Sequence, residues 1–396
     1  MIVKKRLLYY ELIKYLNHKN ALLITGMRQV GKTTLMRQVY EGVEEPRLWF
    51  DFDNPLDQKV FEDIDYQVIY KRLTGMAKKD GKLSIFIDEI QNFPEITKVI
   101  KYLIDHNSVK FYLTGSSNFY LKNLFPESLS GRKFLYELPP LSFQEYLYFK
   151  DKLSLKEVSK TTLQDAIKKN SLFTYKACEA EYEDFLTYGG FPEVVITEDK
   201  DTKVMVLKNI FASFFEKDIK ILSDYSDIRE LRDMILLLVP RVGSMLDVTR
   251  LSSELSVDRV KLYRFLEFLQ GTYFIRLLPK FSNSIDRSVA GGKKVYFSDT
   301  GLLNIIGKVS EAQIFENAVI NQLTQYGKVS FYNKRNTAEI DAILDDKSFS
   351  FEMKLTGTLS DLSKLSDIST DLGISEAFVI SKKFQDKNGF LSPVIL

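Results

Sequence analysis

Residues 21–34 read ALLITGMRQVGKTT, and Gly26 to Thr33 spell the pattern G-x-x-x-x-G-K-T, which leaves a chain few folds to choose from. The two glycines let the backbone curl until its N–H groups face phosphate oxygens, and a helix must follow so that its N-terminus points at the same place. An apolar strand must come first. Strand–loop–helix units of this kind assemble into a parallel sheet covered by helices on both faces. Three further runs fit such a sheet: RLWFDF (Arg47 to Phe52), LSIFID (Leu83 to Asp88) and KFYLTG (Lys110 to Gly115). Each is apolar almost throughout, as a strand covered on both sides is.

In that setting Gly26, Arg28, Gln29, Val30, Gly31, Lys32, Thr33 and Thr34 are expected to hold a nucleoside triphosphate, ATP. Lys32 would reach the β and γ phosphates and the Thr33 hydroxyl would ligate Mg²⁺. The run LSIFIDEIQ ends in two acids at a strand's carboxyl edge, where such sheets bind ligands. Neighbouring side chains on a strand point opposite ways, so the pair divides its work. Asp88 is expected to hold Mg²⁺ through water, and Glu89 to orient and deprotonate the attacking water. Thr114 or Ser116 in FYLTGSSN could sense the γ phosphate, or the segment is a Ser/Gly turn. Arg132 is a candidate arginine finger; a surface salt bridge is the competing reading. A finger supplied by a neighbouring copy would require a homo-oligomer.

Composition narrows the remaining classes. A chain of 396 residues with 45% hydrophobic and 27% charged content can bury more than one core. Cys178 is the single cysteine, so an internal disulfide is excluded, and with only His18 and His106 beside it a cysteine-based zinc site is too. Net charge is +2, so any nucleic-acid surface has to be local. No run approaches eighteen apolar residues, and the opening MIVKKRLLYYELIKYL reads as an amphipathic helix rather than a signal peptide. A cytoplasmic protein with no membrane partner is expected.

Beyond Ser142 the strand signal gives way to helical periods, broken at YGGFPE (Tyr188 to Glu193). DVTRLSSELSVDRVKLYRFLEFLQ (Asp247 to Gln270) reads as two helices joined at Leu255-Ser256, with Ser256 capping the second. Val260, Tyr263 and Leu266 are expected to pack inward, leaving Lys261 and Arg264 on a face with Asp258. A hairpin with Gly291-Gly292 follows, presenting Lys293 and Lys294 where a wing would meet phosphates. Arg241 to Thr300 holds ten basic residues against six acidic ones, an excess compatible with DNA binding or with a winged helix used only for packing.

The order GMRQVGKTT, LSIFIDEIQ, YLTGSSN, SLSGR, LPPLSFQEYL, YGGFPEVV and KVYFSDTGLL resembles a large family of prokaryotic AAA+-type ATPases that carry an uncharacterised C-terminal domain. The resemblance runs over about residues 1–356. It implies an α/β fold with a P-loop ATPase core at 1–140 and a helical lid at 141–238. It further implies a winged helix-turn-helix at 239–303 and a mixed α/β domain similar to the PD-(D/E)xK nucleases at 304–396.

That last domain can be read from pairing arithmetic. If YNKR, EIDAILD and SFSFEMKL form antiparallel strands with Asp346-Lys347 at the second turn, then Asp345 faces Ser348, Asp341 faces Glu352 and Glu339 faces Lys354. Opposed carboxylates repel, and a divalent cation between them would reverse the sign. Glu316, Asp341 and Glu352 would then form a second Mg²⁺ or Mn²⁺ site, with Lys354 polarising the attacking water. Equally coherent is a solvated acidic face with a Glu339–Lys354 ion pair. Cleavage of DNA, branched forms included, a residual nucleic-acid-binding role, and a purely structural role all remain open at this level.

Overall fold

The four strands expected around the glycine-rich loop, and a fifth, form one parallel sheet. The computed structural model describes residues 4–78, 81–116, 131–158, 162–218, 225–282, 291–334, 337–344 and 347–396. The strands are β1 (Ala21–Thr25), β2 (Arg47–Asp51), β3 (Ser84–Asp88), β4 (Lys110–Gly115) and β5 (Lys133–Glu137), in the order β2-β3-β4-β1-β5. Every pairing is parallel. β1, β3 and β4 are buried along their whole length, whereas β5 closes an edge and alternates half-buried and exposed residues. Its charged ends, Lys133 and Glu137, are why its sequence does not read as a core strand. Helices Lys32–Gly42 and Ile96–Asn107 belong to the same unit, and Leu23, Ile85, Ile87, Ile100, Phe111 and Leu113 lie in its core.

Two compact units divide the chain: Met1–Pro139 with Glu267–Tyr273, and Pro140–Leu266 with Phe274–Leu396. The second begins with helices, among them Phe143–Phe149, Leu172–Tyr188 and Lys200–Ser213. The YGGFPE break is real: the long helix stops at Tyr188, Gly189 takes φ 76°, and Pro192 starts a new short helix, Pro192–Ile196. The glycines there meet a distant motif. The buried Asp299 carboxylate accepts the Gly190 N–H at 2.7 Å and the Leu302 N–H at 3.0 Å. A Cβ on Gly189 would lie 2.2 Å from that carboxylate, so only glycine lets the two segments close.

The paired helices are Val248–Leu255 and Arg259–Gly271, and two expectations about them fail. Ser256 does not cap the second helix. It ends the first in the left-handed conformation at φ 56°, while the Asp258 carboxylate accepts the Lys261 N–H at 2.8 Å and so caps the second. Val260 and Tyr263 do not pack inward, being 71% and 58% exposed; Leu262, Phe265, Leu266 and Leu269 fill the core instead. The inward stripe runs through Leu262, Phe265, Leu266 and Leu269, spaced three and four residues apart as one helix face requires.

β6 (Ile275–Pro279) and β7 (Lys293–Phe297) form an antiparallel pair. The C-terminal sheet has the order β12-β11-β10-β9-β8, with β8 (Val329–Lys334), β9 (Ala338–Leu344), β10 (Phe349–Lys354), β11 (Glu376–Ser381) and β12 (Phe390–Leu391). β8, β9 and β10 run antiparallel; β10, β11 and β12 run parallel, with helix Leu359–Leu372 between β10 and β11. Ser350 pairs Ile343 and Phe351 pairs Ala342, the register that the pairing arithmetic gave. Asp345 and Asp346 at the turn, Arg335 of YNKR, Ser117 and Asn118 of YLTGSSN, and the SLS preceding Gly131 lie outside the described residues.

Candidate functional site

The glycine-rich loop closes between β1 and helix Lys32–Gly42. Gly26 sits at φ 150°, and a Cβ there would stand 2.2 Å from the Leu138 carbonyl oxygen, so the chain passes against a neighbouring backbone where no side chain fits. Gly31, at φ 95°, is the N-cap of the helix, whose free N–H groups therefore open onto the loop. Gln29 also has a positive φ, 61°. Lys32 is buried, and its ammonium donates to the Gly26 and Met27 carbonyls, each at 2.9 Å. It thus lies folded along the inside of the loop, where phosphate oxygens would compete for it. Val30 is buried, Arg28 and Thr33 are half-buried, and Thr34 is exposed on the first helical turn.

One residue that the motif does not include holds this loop. Arg6, 4% exposed, donates to the Val30 carbonyl and to the Pro139 carbonyl, both at 2.9 Å. No local pattern marks it, because its partners lie far along the chain.

Across from the loop, Asp88 ends β3 as a buried carboxylate. Thr114, at the end of β4, donates its hydroxyl to Asp88, and Thr33 makes a second side-chain hydrogen bond to it. Burial pushes the Asp88 carboxyl above its usual range; the Thr114 and Thr33 hydroxyls oppose that shift, and the Glu89 charge adds to it. The loop's own hydroxyl, Thr33, thus touches the acid expected to share its metal. Glu89 follows at φ 53°, a left-handed conformation that costs a side-chain-bearing residue about 1–2 kcal/mol. Its backbone N–H donates to Thr114 Oγ1 at 3.2 Å, so Thr114 pins both acids. Ser116 is tied to Gln91, whose amide donates to Glu89 and, at 3.1 Å, to Ser116 Oγ.

Arg132 lies elsewhere. Its carbonyl accepts the Ala21 N–H at 2.8 Å, which puts it at the amino end of β1 and β5, whereas the loop follows the carboxyl end. Four strand residues separate the two edges, roughly 13 Å. Its Nε donates to both Asp105 oxygens at 2.7 and 3.0 Å, and this hydrogen bond holds the Asp105 carboxyl below its usual range. The salt-bridge reading therefore describes Arg132 in this chain, and as a finger it cannot reach the same chain's loop.

In the second unit, Lys261, expected on a face with Arg264, and Lys294, expected to meet phosphates, are both engaged by carboxylates. Lys261 bonds Asp227 at 2.6 Å and Glu230 at 2.5 Å. Lys294 is 4% exposed, and its Nζ stands 2.8 Å from Glu339, 3.7 Å from Asp341 and 3.9 Å from Glu316. Arg259, Val260, Tyr263, Arg264 and Lys293 are exposed.

The carboxylates of the C-terminal sheet converge as the register required, but around a lysine. Tyr296 donates its hydroxyl to Glu316 at 2.7 Å, and Asp341 accepts the Met353 N–H at 2.9 Å. Glu352 bonds Lys354, two residues along the same strand, at 2.6 Å, so the expected Glu339–Lys354 pair is not made. Burial and the Asp341 charge push both Glu316 and Glu352 above the usual carboxylate range. Burial alone would lower the Lys294 ammonium; Asp341, Glu316 and Glu339 outweigh it and hold it above its usual value. Among the described residues no group of three or more His, Cys, Asp or Glu side chains is arranged to hold a metal ion. At the expected second metal site, Glu316, Asp341 and Glu352, an ammonium stands among the carboxylates and each of the three accepts a hydrogen bond from the chain. No helix of the described residues is long and apolar enough to cross a membrane.

Residues 18–147 match a family model described as "AAA domain", and residues 179–313 match one described as "Domain of unknown function (DUF8612)". An uncharacterized protein of Methanocaldococcus jannaschii is 27% identical over 334 residues, covering 81% of this chain and 71% of its own. One from Haemophilus influenzae is 26% identical over 347 residues, covering 84% and 81%. Among solved structures, a Walker-type ATPase of Pyrococcus abyssi has 15% identity and a TM-score of 0.43, covering 75% of this chain and 94% of its own. Cdc6p from Pyrobaculum aerophilum has 12% identity and a TM-score of 0.30, covering 79% and 92%. The N-terminal part of the chain, with its parallel sheet and glycine-rich loop, thus matches the AAA domain over residues 18–147.

Proposed function

We propose that the protein hydrolyses ATP and uses that cycle to change how its second unit holds DNA. The observation that carries the first half is the contact of Thr33 with the buried Asp88, beside a loop whose lysine faces inward. Loop N–H groups and Lys32 would take the phosphates, and Thr33 and Asp88 would hold Mg²⁺. When bound, Mg²⁺ neutralises charge on the phosphate oxygens. Glu89 would orient the attacking water and take its proton, with Thr114 and Gln91 fixing its backbone and carboxylate. Lys32→Ala is expected to lose ATP binding in an equilibrium titration. Glu89→Gln should bind ATP with near-normal affinity while turnover falls by about 10²–10⁴-fold. Normal turnover in Glu89→Gln would remove Glu89 as the base.

Support for DNA is the outer face of helix Arg259–Gly271, where Arg259 and Arg264 flank the exposed Tyr263. Guanidinium groups suit phosphate, and an exposed aromatic ring beside them suits a groove or an unpaired base. Turnover is measured with and without duplex, single-stranded and four-way junction DNA. Stimulation by one of these, binding that weakens steeply with salt, and loss of both in Arg259→Ala/Arg264→Ala are expected. Turnover indifferent to every DNA would favour a nucleotide switch that acts on a protein partner.

A further inference from the structure

The family resemblance implies a divalent metal in the C-terminal domain, and the side chains there do not fit one. A nuclease-like site needs carboxylate oxygens left free to close on an ion at about 2.0–2.2 Å. Here Lys294, carried on β7, brings its ammonium within 2.8 Å of Glu339, 3.7 Å of Asp341 and 3.9 Å of Glu316. Each of the three expected metal ligands also accepts a hydrogen bond from the chain. Glu316 accepts from the Tyr296 hydroxyl, Asp341 from the Met353 N–H, and Glu352 from Lys354.

The placement of Lys294 is enforced by its strand. Lys294 is paired with Leu278 on β6 and bridged to Met245 on its other side, so its backbone is fixed between two segments. Gly243, on that second segment, lies so close to Glu316 that a Cβ would stand 2.9 Å from the carboxylate. Glu316 is thus held between a glycine, a tyrosine hydroxyl and an ammonium. Three converging carboxylates need positive charge, and this chain supplies its own.

We propose that Lys294 is the resident cation of this cluster, standing where a metal-dependent nuclease would carry its divalent ion, and that the unaltered chain binds no such ion there. An ammonium and a divalent ion repel one another at these distances, so one excludes the other. The carboxylates are kept together by a tethered charge, and the domain acts without metal-dependent cleavage.

The test is Mn²⁺ binding to full-length, EDTA-treated, nucleotide-free protein, read from the paramagnetic resonance of the free ion. Wild type and Asp341→Asn should give superimposable isotherms. Lys294→Met should gain one Mn²⁺ that binds at least about tenfold more tightly than anything in wild type. That gain should vanish in Lys294→Met/Asp341→Asn, and Mn²⁺ should raise the melting temperature of Lys294→Met only. An Asp341-dependent ion in wild type overturns the proposal, as does a folded Lys294→Met that gains no ion. If Lys294→Met does not fold, wild type against Glu316→Gln decides in the same way. Equal isotherms support the tethered cation, and a site lost in Glu316→Gln overturns it.

Discussion

Arg6 reaches two carbonyls that no shorter or single-headed side chain could join, Val30 in the phosphate loop and Pro139 beyond β5. A planar fork spans such a pair, whereas an ammonium is a point donor. Because Arg6 is buried, removing it leaves two carbonyls unsatisfied and loosens the loop before any phosphate arrives. Arg6→Lys is therefore expected to weaken ATP binding by roughly tenfold, equivalent to about 1.4 kcal/mol, with little change in turnover at saturating ATP. Equal affinity in calorimetric titration would show that the loop keeps its shape without the tether. Lys32 and Thr33 are picked out by the glycine-rich motif and Asp88 and Glu89 by an apolar run ending in two acids, and the fold brings Thr33 to Asp88. Arg6 could not be picked out, since a carbonyl in a loop presents the same acceptor whatever its sequence, and Gln91 could not be, since only the fold brings Ser116 to it.

At the scale of elements, regular strands were legible where burial on both faces made them apolar, as in β1, β3 and β4, and invisible where an edge let charge in, as in β5. Register was legible too, since the β9–β10 turn sets it by simple counting. What no count reveals is which charge enters a cluster from outside. Lys294 looked like a wing lysine because its neighbours in sequence form a hairpin; only the tertiary fold brings it to Glu339. The junction of YGGFPE with SDTGLL is a second case, with Gly190 and Asp299 separated by 109 residues. It has a pH signature. Burial pushes the Asp299 carboxyl up to about 6 against the N–H groups of Gly190, Leu302 and Gly301, which favour its charge. The native state then binds a proton more tightly than the unfolded chain between the ordinary carboxyl value of 3.8 and about 6, so this residue's contribution to stability falls as pH rises. From pH 5 to pH 7.5 the loss is about 1 kcal/mol. Urea unfolding of wild type and Asp299→Asn should show the gap between them shifting by that amount against wild type. A gap constant with pH would mean Asp299 is ionised throughout.

On the scale of the whole molecule, the geometry of the parallel sheet decides what Arg132 can do. Parallel strands put all their carboxyl ends, and hence the loop, Asp88 and Thr114, on one edge, and all their amino ends on the other. Arg132 precedes β5 and belongs to the second edge, paired with Asp105. A single chain therefore cannot bring it to its own nucleotide, and a role in hydrolysis requires a second copy to present it. The ion pair lies at the surface, where solvent screens it, so Arg132→Ala should fold normally. Turnover measured over a range of protein concentrations separates the cases. For a chain that works alone, Arg132→Ala matches wild type at every concentration, and turnover per molecule does not depend on concentration. If copies complete each other's sites, wild-type turnover per molecule rises with concentration and Arg132→Ala stays at the dilute value, about 10³-fold lower if the guanidinium acts as a finger. Because the isolated chain pairs Arg132 with its own Asp105, the first result is the expected one. A concentration-dependent defect would show that this pair opens on assembly.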